Sequence, residues 1–127
     1  MASVIKAVSF DAADALALAT FWAAALGSDV DEDSTADKAF VEAAGWGGPN
    51  IWFLRVPEGK TAKNRMHIDI RVAGDPPWNM PERTVAIRSK VDQLVGAGAT
   101  RVRDELYDGA LGHVVMLDPE GNEFCVG

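Results

Sequence analysis

The chain predicts an α+β fold made of two copies of one βαβββ unit, and three observations carry that expectation. Residues 63–72 alternate with a period of two. Met66, Ile68, Ile70 and Val72 fall on one face and His67, Asp69 and Arg71 on the other, which is the pattern of a strand with one face on a core. Two segments carry helical stripes, Leu18, Phe21, Trp22 and Ala25 in the first and Ile87, Val91, Leu94 and Val95 in the second. The element order β-α-β-β-β then runs twice, over 4–57 and 64–127, around a linker at 58–63.

Each element has a local reason. Val4 to Asp11 reads as a strand. Asp14 is placed to cap a helix that runs to Leu26, with Gly27 as its stop. Residues 28–34 are acidic but lack the glycine and distal glutamate of a calcium loop, so an exposed strand and turn is expected. Lys38 to Ala44 and Ile51 to Val56 read as strands around a turn at 45–50. Pro81 suits the first turn of a second helix, about 82–95, which Gly96 and Gly98 end. Thr100 to Leu106 and His113 to Leu117 flank an Asp108-Gly109 turn, and Glu123 to Val126 follows a tight turn at 118–122.

The bulk numbers exclude several classes. A chain of 127 residues, 48% hydrophobic and 24% charged, fits a single globular domain. A net charge of −7 argues against nucleic acid, whose phosphates call for a basic face. Cys125 is the sole cysteine, which rules out an intrachain disulfide or a cysteine zinc cluster and suits a reducing compartment. Residues 1–6 lack a signal-peptide pattern, and the apolar run from Ala15 to Leu26 is too short to span a bilayer, so a cytoplasmic protein without a membrane partner is expected.

The row His67, Asp69, Arg71 marks the candidate site. Alternate residues on a strand stand roughly 6–7 Å apart, and three different ionisable groups in a row suit a polar pocket as well as a solvent-facing sheet.

In its element order, and in the phrases Phe21-Trp22, 63–69 (Lys-Asn-Arg-Met-His-Ile-Asp) and 118–124 (Asp-Pro-Glu-Gly-Asn-Glu-Phe), the chain resembles the vicinal oxygen chelate superfamily, and within it a bacterial glyoxalase-like subgroup. The resemblance implies a curved, mixed, half-barrel-like sheet with helices outside. It also implies one metal ligand from the first strand and one from the last strand of each unit. His67 and Glu123 take those positions in the second unit; Ala7 and Ile51 or Phe53 take them in the first, and none of these three binds metal. The implied cofactor is a divalent ion (Zn, Ni, Fe or Mn) on half a ligand set, with Asp69 and His113 as further candidates. The facial triad of iron oxygenases, mimicked by His67, Asp69 and His113, belongs to a larger framework of many more strands.

Without metal, His67, Asp69 and Glu123 form an acid–base set. Glu123 is then the base that abstracts a proton beside a carbonyl, and Arg71 or Arg55 holds a carboxylate or enolate. This is lyase or isomerase chemistry on a small oxygenated molecule. The alternatives are a purely structural His67–Glu123 pair and a non-catalytic binding protein of the bleomycin-resistance kind. In the latter, Trp46, Trp52 and Trp78 would wall a planar or cationic ligand, with His113 at the rim. A homodimer is expected, because small paired units tend to bury an exposed sheet edge or helix face against a copy.

Overall fold

The computed structural model describes residues 1–42 and 47–127, which form two compact units, 1–60 and 61–127. Gly45 and Trp46 of the expected 45–50 turn, and the last two residues of the strand expected over Lys38 to Ala44, lie outside the described residues. Each unit is an α+β layer of one helix on one mixed open sheet.

In the first unit, β1 (Ala7–Ala12), α1 (Ala15–Leu26), β2 (Lys38–Val41) and β3 (Asn50–Arg55) follow one another. The sheet order is β1-β3-β2, with β1 parallel and β2 antiparallel to β3. Asp14 caps α1 by accepting the Ala17 amide at 3.0 Å, and Gly27 closes it at φ 65°. The predicted stripe is buried in full. Trp22 is enclosed by Phe10 at 5.5 Å and by the edge of Phe21 at 5.6 Å, while Phe10 stacks on Phe53 at 5.4 Å. Removing an indole so enclosed costs about 3–5 kcal/mol.

Two expectations in this unit need correction. Val4 and Ile5 are exposed, and β1 begins at Ala7, because Ala7 opposite Asn50 opens the ladder with β3. The strand expected in 28–34 is reduced to a single bridge, Val30 to Val41. There the Asp31 carboxylate takes the Asp33 amide, and such local bonds compete with a ladder.

In the second unit, β4 (Ile68–Ile70), α2 (Met80–Gly96), β5 (Thr100–Tyr107), β6 (Ala110–Leu117) and β7 (Glu123–Val126) form a sheet of order β4-β7-β6-β5. The β4–β7 pair is parallel and the others antiparallel. Asn79 caps α2 and Pro81 lies in its first turn. The Asp108-Gly109 turn has positive φ at both residues, 52° and 81°, which makes the type I′ hairpin that matches strand twist. Buried Asp118 accepts the amides of Glu120 and Asn122, each at 2.9 Å, and the Asn122 side chain at 2.8 Å, which sets the start of β7.

Here too the expectation is revised. The ladder of β4 covers 68–70 alone, since β7 offers few partners, and Met66 is 67% exposed rather than on the core face. Val95 is 47% exposed. Arg83 joins Ile87, Val91 and Leu94 on the buried stripe of α2 instead.

Candidate functional site

The two faces of the second unit's sheet differ in chemistry. Ile70, Val114, Met116, Phe124 and Val126 are buried on the side of α2. Strand parity sends the other set away from the helix: Asp69 on β4, Glu123 and Cys125 on β7, His113 and Val115 on β6, and Arg103 and Glu105 on β5. The register aligns them in rows. Asp69, Cys125, Val115 and Arg103 form one row, and Glu105 stands opposite His113 in the next.

Contacts across this face are specific. Arg103 Nε donates to Glu105 Oε1 at 2.5 Å, and Tyr107 Oη lies 2.5 Å from His113 Nδ1. Burial pushes the Cys125 thiol above its ordinary pKa. The charge and hydrogen bond of Asp69 push the same way, Arg103 opposes, and Glu105 adds to the rise. The thiol is held neutral.

His67 and Glu123 each precede the first registered pair, Ile68 with Phe124, so the backbone sets them side by side. Each is engaged by the segment just before β4. His67 is exposed and its Nε2 lies 2.8 Å from Lys63 Nζ, so an ammonium takes the lone pair that a metal or a proton would use. Glu123, half-buried, accepts the backbone amide of Asn64 on Oε2 at 2.9 Å. His113 lies roughly 13 Å along the sheet from Glu123, by four residues of strand rise, so the two do not serve one small reacting centre.

The remaining sequence candidates are dispersed. Arg71 pairs with Asp75, four residues on. Arg55, in the first unit, pairs with Asp37 at 3.4 Å. Trp52 lies on the side of β3 away from α1, edge-on to Phe40 at 6.1 Å and under Lys6 Nζ at 5.0 Å. Trp78 covers the Arg83 guanidinium at 4.6 Å.

The first unit's last-strand position is also corrected. Ile51 and Phe53 are buried on the helix side; the residue opposite Ala7 is Asn50. The donor set therefore does not fit the divalent ion that the resemblance implies. Among the described residues no three His, Cys, Asp or Glu side chains gather into a metal-holding group, whereas a catalytic site needs about three ligands.

Sequence reading passed over Cys125, Tyr107 and Arg83. Cys125 has the same parity as Glu123 within its strand, a signal open to the sequence. Tyr107 and Arg83 acquire meaning only from pairing and packing.

Comparison with known proteins agrees with this frame. The chain belongs to the Glyoxalase-like domain family, whose model matches residues 7–127. A glyoxalase/bleomycin resistance protein/dioxygenase family enzyme from Burkholderia phytofirmans superposes with a TM-score of 0.71 at 18% identity, over 95% of this chain and 94% of that one. The fosfomycin resistance protein FosX of Listeria monocytogenes, in a mutant complexed with Mn(II) and 1S,2S-dihydroxypropylphosphonic acid, gives 0.70 at 12% identity, over 99% and 90%. Lactoylglutathione lyase from Agrobacterium tumefaciens gives 0.62 at 14%, over 100% and 94%. These likenesses establish the fold, shared with glyoxalase/bleomycin resistance/dioxygenase family proteins. No curated protein matches the chain. Among the described residues no helix is long and apolar enough to cross a membrane.

Proposed function

We propose that the chain is a glyoxalase-like enzyme that moves a proton on carbon beside a carbonyl group of a small oxygenated molecule, a lyase or isomerase reaction. Glu123 is the base. The observation that carries this reading is the Glu123 carboxylate, half-buried, oriented by the Asn64 amide, and on the same sheet face as Asp69. Glu123 takes the C–H proton, the electron pair moves onto the carbonyl oxygen, and the proton returns at the neighbouring position, so no oxidant is consumed. Lys63, held on His67 Nε2 and adjacent in sequence to Asn64, supplies the cation for the enolate oxygen. Arg71 and Arg55, each on its own carboxylate, are not given that role. Among the described residues no three side chains gather to hold a metal, although the FosX structure holds Mn(II).

The test is deuterium uptake from D2O into small α-hydroxy ketones and aldehydes, followed by NMR. Glu123→Gln should lower exchange about 100-fold or more with KM changed only a few-fold. Unchanged exchange would overturn the assignment.

A second reading, small-molecule binding without turnover, is favoured by Trp52 alone. Lys6 sits over its ring where a ligand cation would sit. Quenching by a cationic ligand that is lost in Trp52→Ala, with no exchange activity, supports that reading. For assembly we propose a homodimer through β5, the longer of the two edge strands of this sheet, which exposes Val102, Leu106 and Tyr107. Sedimentation showing a monomer at micromolar concentration overturns it.

A further inference from the structure

Arg83 carries a charge into the helix side of the second unit and is only 7% exposed. Its two terminal nitrogens donate to the carbonyls of Leu111 at 2.7 Å and Gly112 at 2.6 Å. The Trp78 ring covers its face at 4.6 Å. Its Nε–H is buried and has no acceptor. The partners around this cation are thus two neutral oxygens and a π-face, and one donor is left over. Buried donors are nearly always satisfied, and buried cations usually meet an anion.

Arg83 is one wall of a cleft of about 330 Å³ between the 73–79 loop and the first turns of α2, lined also by Ala73, Gly74, Pro77, Trp78, Asn79 and Ala86. That size is at the lower end for small-molecule sites. Asp75 and Glu82 also line it. The charge of Asp75 is met by Arg71, and Glu82 is exposed on the first turn of the helix. The wall that can move is Trp78, 39% exposed and tethered by its indole N–H to the Gly74 carbonyl.

We propose that this cleft is a second ligand site, separate from the face that carries Glu123, for a small planar monocarboxylate. One carboxylate oxygen accepts the Arg83 Nε–H, the negative charge meets the buried guanidinium, and the planar body stacks on Trp78, whose ring shifts outward to admit it. Arg suits the task because its planar fork keeps a directed donor free while the other nitrogens are engaged. Nothing in this inference depends on the proton-transfer reading, since the cleft lies on the opposite side of the sheet.

Benzoate is the probe. In ¹H–¹⁵N spectra of the intact protein, millimolar benzoate should shift the Arg83 Nε–H and the Trp78 indole N–H together and saturably. Trp78→Ala should weaken binding about tenfold, and Arg83→Lys should abolish it with the far-UV circular dichroism retained. If Arg83→Lys does not fold, the titration and Trp78→Ala decide. Glu123→Gln should bind benzoate as the parent does. Two resonances that do not move, an unchanged affinity in Trp78→Ala, or equal binding of benzyl alcohol, which lacks the carboxylate, would each overturn the site.

Discussion

Asp69 of β4 stands directly opposite Cys125 of β7 in a parallel ladder, and the carboxylate helps to keep the thiol protonated. The thiol's raised pKa makes it a poor nucleophile near neutral pH. Dithionitrobenzoate should label Cys125 more slowly than a free thiol at pH 8, and Asp69→Asn should speed labelling several-fold. A group whose pKa rises on folding contributes stability that is complete below its ordinary value, about 8.5, and lost as pH climbs through the folded value. Alkaline destabilisation should therefore be weaker in Cys125→Ala.

A second prediction concerns acid. Arg88 of α2 grips Asp104 of β5 with two bonds, at 2.8 and 2.7 Å, and Arg101 adds a third at 2.8 Å. These bonds, Arg88's first, hold the Asp104 carboxyl down at about 2. Its contribution is present above the ordinary carboxylate range and is lost as pH falls from about 4 towards 2. Asp104→Asn should cost about 1 kcal/mol at pH 7, the upper end for solvent-facing pairs. In urea titrations the gap between variant and parent should shrink to a small fraction of its neutral-pH size as pH falls to about 2. A gap that stays constant with pH would argue against the charge.

Alanine at two glycines should have different consequences. Gly27→Ala has open space around the new methyl group but a φ of 65°, so it should cost about 1 kcal/mol through backbone strain. Gly112→Ala has an ordinary backbone, yet its methyl would lie 2.4 Å from the Tyr107 ring. That ring is exposed and can swing aside. The urea midpoint should move little, but the Tyr107–His113 hydrogen bond should break, and imidazole ¹⁵N shifts at His113 would register it.

The capping aspartate gives the plainest test of a local rule. Asp14→Ala removes the acceptor of the Ala17 amide and should lower stability by about 1 kcal/mol. Asp14→Asn should restore most of the loss in the same thermal melts.

How far the sequence was legible follows from which forces are local. Asp14, Gly27 and Asp108-Gly109 act within a few residues, and α1 and the β5–β6 turn could be placed from them. Strand ends could not, because a strand extends only as far as its partner does. Val4, Ile5 and Met66 read as strand by alternation, yet they lie exposed beyond the ladders. In the site, parity placed Asp69 and Glu123 on single faces of their own strands. That those faces coincide, and that Cys125 stands beside Asp69, depends on a parallel register with no signature in the chain. His67 was matched with Glu123 by family pattern, and the nearby Lys63 reaches its ring instead. Arg83 was hidden because a charged residue breaks an apolar stripe in writing but not in packing.

The innermost position of β7 has a consequence for how the protein is made. It lies between β4 and β6 although it comes last in the sequence. The ribosome must therefore deliver residues 68–117 with a gap in the middle of their sheet, two unsealed edges facing one another until the final strand emerges. The first half has the three strands seen among its described residues by residue 55 and suffers no such wait. During synthesis, chaperone capture and misassembly should concentrate on the second half, in the interval before Glu123–Val126 slots in.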